Sequence, residues 1–231
     1  MASAFRVKVI GAAAIGLAAA WSLPAKATVI SFGLQEAGVS GGAITVEPPT
    51  ISGTGSAALS LAKYGTFKNI SISAQDETDL GLPSILNSQT LDISTSKVGT
   101  LTVYVTTQGL TDPTGKVEFD TLLSDNSLNG AIKSITQSAY LDTGNGQFAE
   151  TTLLWTDTIT KAGTYGPHPS FETVTGPFSV TEVYTIVAKG SGNVNLTTDV
   201  SVVPEPESVG MFALALLSLG GIWFAGGRRS R

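Results

Sequence analysis

The central part of the chain alternates between apolar and polar residues with a period of two. The pattern runs through residues 69–75, where isoleucine alternates with serine, and it returns at 101–106 and 193–202. Such alternation is typical of β-strands that bury one face and leave the other in water. Residues 180–188 carry apolar side chains on both faces, which predicts a strand at the centre of a sheet.

Clusters of glycine, proline, asparagine and aspartate separate these runs and predict turns. They lie at residues 38–42, 48–49, 111–115, 142–146 and 190–193. The 29 Thr and 19 Ser between positions 28 and 203 favour half-solvated strands over helices. The sequence therefore predicts an all-β domain over residues 28–203, an antiparallel β-sandwich of roughly eight to eleven short strands, jelly-roll or immunoglobulin-like.

Residues 1–27 have the three parts of a secretory signal peptide. Arg6 and Lys8 make a basic start, and residues 9–21 form a short apolar run rich in alanine and glycine. Small residues follow, and we predict cleavage between Ala27 and Thr28. The residues of this predicted cleavage site are Ala25, Ala27 and Thr28. Residues 28–203 are therefore expected to be exported.

The end of the chain predicts a transmembrane helix. Residues 208–227 contain no charged side chain, and a helix of this length at about 1.5 Å per residue spans about 30 Å, one hydrocarbon core. Arg228, Arg229 and Arg231 follow immediately. Their guanidinium groups are expected to stop transfer and stay in the cytoplasm, so the preceding domain would lie outside the inner membrane.

A proline-rich connector, Val203, Pro204, Glu205 and Pro206, stands before this predicted helix. The two prolines fix φ and offer no N–H, so the connector is expected to be extended and exposed, a shape that a protease can grip. Taken alone, it also fits an ordinary rigid linker. Taken with the apolar span and the arginine-rich end, residues 204–231 resemble the PEP-CTERM sorting signal of Gram-negative bacteria.

The resemblance implies a route through the cell envelope. In that family the motif is read by an exosortase, a membrane enzyme thought to act as a Cys-dependent transpeptidase. Signal peptidase and exosortase would then process the chain, which would be held briefly in the inner membrane and passed to the cell surface or the extracellular matrix. The chain has no Cys, so it would be the substrate of this reaction and not its enzyme.

The composition excludes several functions. The absence of Cys and the single His exclude a thiol nucleophile, thiolate-bound metals and a multi-His metal centre within one chain. The formal net charge is −5, and residues 28–203, with 16 acidic side chains and 7 Lys, carry −9. Such a charge argues against nucleic acid, which requires clustered basic residues. We predict no enzymatic activity, no cofactor and no nucleic-acid partner.

Candidate sites within the central domain are weak. Asp76, Glu77 and Asp79 form an acidic cluster that could bind Ca²⁺ outside the cell, although it lacks the spacing of a known calcium loop. Residues 142–146 could also ligate Ca²⁺, but Asp, Asn and Gly in this order favour a tight turn. His168 lies between two prolines and is expected in an exposed loop.

Two functional interpretations are open for the exported domain. The leading one is a structural or adhesive role at the bacterial surface or in the exopolysaccharide matrix. The alternative is a carbohydrate-binding module on the same β-sandwich, with Trp155 and Tyr140 as a platform on which sugar rings stack. Trp155 follows two leucines in a predicted strand, which favours burial over such a platform. A hydrolase would need paired carboxylates, which one sequence cannot identify.

Overall fold

The computed structural model describes residues 28–49, 51–53 and 55–203, which form a mostly antiparallel β structure. A 3₁₀ turn at Ser40–Gly42 follows the first strand, and a one-turn helix α1 (Glu77–Leu80) follows the fifth. Within the described residues the strands are β1 (Val29–Glu36), β2 (Thr45–Glu47), β3 (Ile51–Gly53), β4 (Ser56–Tyr64), β5 (Phe67–Asp76), β6 (Ser84–Leu110), β7 (Gly115–Asp142), β8 (Thr152–Ile159), β9 (Gly163–Val174) and β10 (Phe178–Val202). The prediction of an all-β domain is confirmed.

All of these strands belong to one hydrogen-bonded sheet, in the order β3-β4-β5-β6-β10-β7-β8. Strand β1 joins the side of β6, β2 joins β1, and β9 joins β7. The central strands β6, β7 and β10 are 27, 28 and 25 residues long. Strand β10 pairs with β6 on one side and β7 on the other, which confirms the central strand predicted at 180–188.

The sheet folds over on itself, so that its two halves face each other as a sandwich. Ser88 is the register partner of Thr198, yet its hydroxyl donates to the carboxylate of Glu182, 16 residues earlier on β10. A flat strand would hold those positions about 50 Å apart at its usual rise. The Tyr64 hydroxyl likewise donates to the carbonyl oxygen of Leu34 at 2.9 Å, across the space between the two halves.

Each long strand contributes to both halves, which we name by the short strands that they contain. Layer A holds β1, β2, β8, residues 99–110 of β6, 132–142 of β7 and 178–188 of β10. Layer B holds β3, β4, β5, β9 and the remaining halves of the three long strands.

The interior is filled by alternate residues, as the sequence pattern predicts. Side chains that the alternation placed on the apolar face are buried in β5, β6 and β10: Ile70, Ile72, Ala74, Leu101, Val103, Val105, Val194, Leu196, Val200 and Val202. On β10 the same face continues through Val180, Tyr184 and Ile186. Because the period is two, a slip of one residue in pairing would expose this whole set.

The prediction of short strands separated by turns is wrong at residues 190–193. Strand β10 continues through Gly190 and Gly192 instead of turning. Three residues of β10 lie between the pairs Ala188↔Ile132 and Gly192↔Gly130, against one residue of β7, so the glycines form a β-bulge. A bulge bends the strand and increases its twist. The glycines that looked like a turn between strands therefore mark the place where one long strand passes from layer A to layer B.

Both ends of the predicted organisation lie outside the described residues. Thr28 is the first residue of the described chain and Val203 the last, so the signal peptide over 1–27, with Ala25 and Ala27, and the sorting signal over 204–231 are not part of it. The latter includes Pro204, Glu205, Pro206, Arg228, Arg229 and Arg231. In the described part of the chain, no helix is long and apolar enough to cross a membrane.

Candidate functional site

Asp76, the first member of the acidic cluster, serves the fold. It is completely buried at the end of β5. One carboxylate oxygen accepts the backbone N–H of Thr78 at 2.9 Å and caps α1, and the other accepts the hydroxyl of Thr107 at 3.1 Å. Both oxygens are thus hydrogen-bonded, because an N-terminal cap and a contact between the two layers meet at this side chain.

Glu77 is half-buried beside it. Burial raises the pKa of the Glu77 carboxyl to about 7, with smaller contributions from the negative charges of Asp112 and Asp76. The side chain of Asp79 lies outside the described part of the structure. Among the described residues, no group of three or more His, Cys, Asp or Glu side chains is arranged to hold a metal ion. The calcium candidate at Asp76, Glu77 and Asp79 therefore stays a prediction.

Residues 142–146 form a tight turn after β7. Asp142 accepts the N–H of Gly146 at 2.7 Å and the hydroxyl of Thr151 at 2.8 Å, and Asn145 adopts a positive φ of 58°. The hydrogen bond from Gly146 lowers the pKa of the Asp142 carboxyl. This carboxylate closes the turn, which is the interpretation that the sequence favours.

The prediction that His168 lies in an exposed loop is wrong. His168 belongs to strand β9, where it is the register partner of Thr121, and it is half-buried. Its ring stacks on that of Trp155, with centroids 4.6 Å apart and planes inclined by 16°. The two prolines beside it are accommodated because, among the described strands, β9 pairs only with β7 and so needs fewer backbone donors.

The structure does not bring Trp155 and Tyr140 together as a platform. The register pairs Trp155 with Ala139 and Tyr140 with Leu153. Successive residues of β7 point to opposite faces of the sheet, so the two aromatic side chains lie on opposite sides of layer A. Trp155 packs against the hydrophobic core and is half-buried. The burial that the sequence favours is thus partly confirmed.

We expect Trp155 to contribute stability. Trp155→Ala should lower the free energy of unfolding by about 2–3 kcal/mol, the low end for a large aromatic because the ring is only partly buried. Denaturant unfolding would measure it. The neighbouring Leu153, which is 47% exposed, provides the control, since Leu153→Ala should cost less than about 1 kcal/mol. Equal losses for the two variants would contradict the packing role of Trp155.

A buried polar cluster that the sequence did not predict lies between the layers. Glu182 is completely buried on β10, and one of its carboxylate oxygens accepts hydrogen bonds from the hydroxyls of Ser88 and Tyr184. Within the described chain, its second oxygen and the amide atoms of buried Gln137 have no partner. Burial, the largest cause, raises the pKa of Glu182 to about 8. The signal was an acidic residue on the apolar face of the strand at 180–188.

No protein family matches the sequence, and no curated protein matches it. Among solved structures, TmCBM61 in complex with beta-1,4-galactotriose shares 9% identity over 49% of this chain and 70% of its own, with a TM-score of 0.28. The adhesin domain of Epf from Streptococcus pyogenes shares 11% over 75% of this chain, which spans 58% of that structure, with a TM-score of 0.32.

A third solved structure is similar at the same level. The K1 cleaved adhesin domain of Lys-gingipain from Porphyromonas gingivalis shares 16% identity over 78% of this chain and 99% of its own, with a TM-score of 0.27. Likenesses this weak carry no argument about what the chain binds or does.

Proposed function

We propose that this chain is an exported protein, sorted by an exosortase through its C-terminal signal, with a structural or adhesive role at the bacterial surface or in the exopolysaccharide matrix. The observation that carries the proposal is the backbone structure directly before the motif. Strand β10 ends at Val202, and the N–H of Val203 donates to the carbonyl oxygen of Glu118 at 3.0 Å. The next residue is Pro204, the first proline of the motif.

This placement suits a reaction that cuts beside the domain. Regular structure extends up to the motif, and a chain that enters Pro204 from a strand already has extended geometry. A cut in the motif would remove the apolar span and leave the sheet hydrogen bonds of β10 intact. Signal peptidase would act in the same way at the other end, because β1 begins at Val29, directly after Thr28.

In its finer form, the proposal is a jelly-roll or immunoglobulin-like β-sandwich flanked by an N-terminal signal helix and a C-terminal transmembrane helix. The domain would act by binding and by its own rigidity, without catalysis. Its partners would be signal peptidase and exosortase during processing, the inner membrane before it, and exopolysaccharide after it. The −9 charge of residues 28–203 would keep the released domain soluble through self-repulsion.

Processing can be tested with the full chain in a bacterium that has an exosortase and in the same strain without it. We expect the mature protein to lack the residues after the motif and to leave the inner membrane in the first strain only. Replacing Pro204, Glu205 and Pro206 together by Ala should block this step, as the mass of the C-terminal peptide would show. Glu207→Ala, directly after the motif, is the matched control and should be processed normally.

The sorting proposal would be contradicted if the mass stayed unchanged and the protein remained in the inner membrane in both strains. A second candidate function, carbohydrate binding, receives support from the outer surface of layer A.

A further inference from the structure

The outer face of layer A carries a regular row of threonine side chains. The register aligns Thr102 of β6, Thr185 of β10, Thr136 of β7 and Thr158 of β8 on four adjacent strands. They lie on the face that points away from the core, because Leu101, Val103, Ile135 and Ile186 at the flanking positions are buried. Neighbouring strands are about 4.8 Å apart, so the row places one hydroxyl-bearing side chain at each strand spacing.

A parallel row lies about 7 Å further along the strands, the spacing of residues i and i+2. It holds Ser138 of β7 and Thr156 of β8. The two rows are cross-linked within themselves. Oxygen–oxygen distances are 2.8 Å for Thr136 and Thr158, 2.8 Å for Ser138 and Thr156, and 3.4 Å for Thr102 and Thr185. We call these six residues, Thr102, Thr185, Thr136, Thr158, Ser138 and Thr156, the hydroxyl face.

The hydroxyl face keeps much of its hydrogen-bonding capacity. Each hydroxyl has one donor and two acceptor positions, so a bonded pair uses one donor and one acceptor and leaves the rest available. Thr156 and Thr158 are exposed, Thr102, Thr136 and Thr185 are half-buried, and Ser138 is buried, with 8% of its surface exposed. Each threonine also carries a methyl group, so the surface offers both polar and apolar groups, as the edges and faces of sugar rings do.

The boundary of this face is set by residues 143–151. The Phe148 N–H donates to the hydroxyl of Thr106 at 3.3 Å, and its ring lies 5.7 Å from that of Tyr104. This segment covers one end of the outer surface of layer A. The β8 side of the hydroxyl face is accessible, because Thr156 and Thr158 are exposed, whereas Ser138 and its register partner Val183 are buried.

The charge distribution distinguishes the two outer faces of the sandwich. The six residues of the hydroxyl face are uncharged, although residues 28–203 carry −9. The outer face of layer B presents charged side chains at the equivalent alternate positions, among them Lys68, Asp92, Glu118 and Asp120. A neutral partner could contact these six side chains without desolvating a charge on them, whereas an anionic polymer would be repelled by the domain as a whole.

We propose that the hydroxyl face binds a neutral polysaccharide, which rests on the proposed role of this domain at the cell surface or in the matrix. The chain would lie across β10, β7 and β8, and its hydroxyls would exchange hydrogen bonds with the two rows. Each contact is weak, since a hydrogen bond to the polymer replaces one that the hydroxyl makes to water. Binding therefore depends on several contacts along an extended polymer, and many copies of the domain on one matrix would add avidity.

The test measures how much protein is removed from solution by an insoluble polysaccharide, using the full chain after any processing in its host. Cellulose and curdlan are the neutral probes, and cross-linked alginate is the anionic one. We expect binding to the neutral probes and at least about tenfold weaker binding to alginate. Thr156→Glu with Thr158→Glu places two charges on the hydroxyl face and should weaken neutral binding at least about tenfold, which corresponds to 1.4 kcal/mol. Thr156→Val with Thr158→Val keeps the shape, removes the hydroxyls and should weaken it less.

The matched control is Ser71→Glu with Ser96→Glu. Both serines are exposed on the outer face of layer B, so this variant has the same added charge and should bind as the unmodified protein does. The inference is overturned if this control loses binding as much as Thr156→Glu with Thr158→Glu does. It is also overturned if only alginate is bound, or if the unmodified protein binds none of the probes.

Sedimentation of the same variants tests whether a second copy of the chain occupies this surface instead. A dimer that dissociates in Thr156→Glu with Thr158→Glu, without glycan binding, would make the face a contact between copies and overturn the inference. Failure of the proposed function is seen separately, in the mass of the C-terminal peptide. Normal processing without glycan binding would reject the hydroxyl face and leave the sorting proposal standing.

Discussion

Glu182→Gln should remove the larger part of the pH dependence of unfolding between pH 4.5 and 8, and the smaller part linked to Glu77, whose pKa is about 7, should remain. Burial raises the pKa of the Glu182 carboxyl from 4.5 to about 8. The folded state therefore holds a neutral acid in a range where the unfolded state has already lost its proton. The stability linked to this group is fully present below pH 4.5 and is lost as the pH rises through 8, because the unfolded chain binds fewer protons over that window.

The size of this effect follows from the shift. One pKa unit corresponds to about 1.4 kcal/mol, so the free energy of unfolding should fall by on the order of 5 kcal/mol across the window through this side chain alone. Glutamine has the same shape, cannot ionise and can still accept from Ser88 and Tyr184 through its carbonyl oxygen. The variant should therefore be the more stable protein at pH 9.

Urea denaturation at a series of pH values would measure this. Glu150→Gln is the control, since Glu150 is exposed. Its free energy of unfolding should fall between pH 4.5 and 8 as steeply as that of the unmodified protein. If Glu182→Gln retained the full slope, the buried acid would not be its origin.

Gly130→Ala should lower the free energy of unfolding by about 3 kcal/mol or more. Gly130 has a φ of 70°, where an L side chain costs about 1 kcal/mol. An added Cβ would also collide with the carbonyl oxygen of Ser191 and lie 2.9 Å from the Cα of Gly192. Both contacts are backbone, so relief requires the bulge between β7 and β10 to move.

Gly176→Ala separates the two causes. Gly176 has a similar φ of 67°, and no atom lies within 4 Å of its added Cβ, so alanine there should cost only the backbone strain of about 1 kcal/mol. Thermal or denaturant unfolding of both variants gives the difference. Equal losses would mean that the close approach at Gly130 is relieved without cost and that the bend is soft.

The sequence predicted the local structure better than the connectivity. Alternation identified the buried faces of β5, β6 and β10 because the pleat imposes a period of two whatever the strand length. It could not tell a turn from a bulge at Gly190 and Gly192, since glycine suits both. In a turn it supplies freedom in φ, whereas here it leaves room for the neighbouring strand, because an added Cβ at Gly192 would lie 2.6 Å from the carbonyl oxygen of Asn129. Whether the chain turns or bends there is decided by pairing with residues 129–132, far away in sequence.

Functional residues were harder to predict for a related reason. Trp155 and His168 meet only because β8 and β9 both pair with β7, and nothing in either segment indicates the other. The hydroxyl face likewise depends on the register of four strands, and nothing in the sequence distinguishes its threonines from the other threonines of the domain. Glu182 was also missed, although an acidic residue within an apolar alternation is visible in the sequence.

The position of β10 has a consequence for a protein held by its C-terminal end. Tension applied beyond Val203 enters the molecule along its central strand, which is hydrogen-bonded on both sides to β6 and β7. These bonds lie perpendicular to the strand, so a lengthwise pull loads many of them together instead of unzipping them one by one. A domain tethered in this way would resist mechanical unfolding while the rest of its surface is bound to a partner.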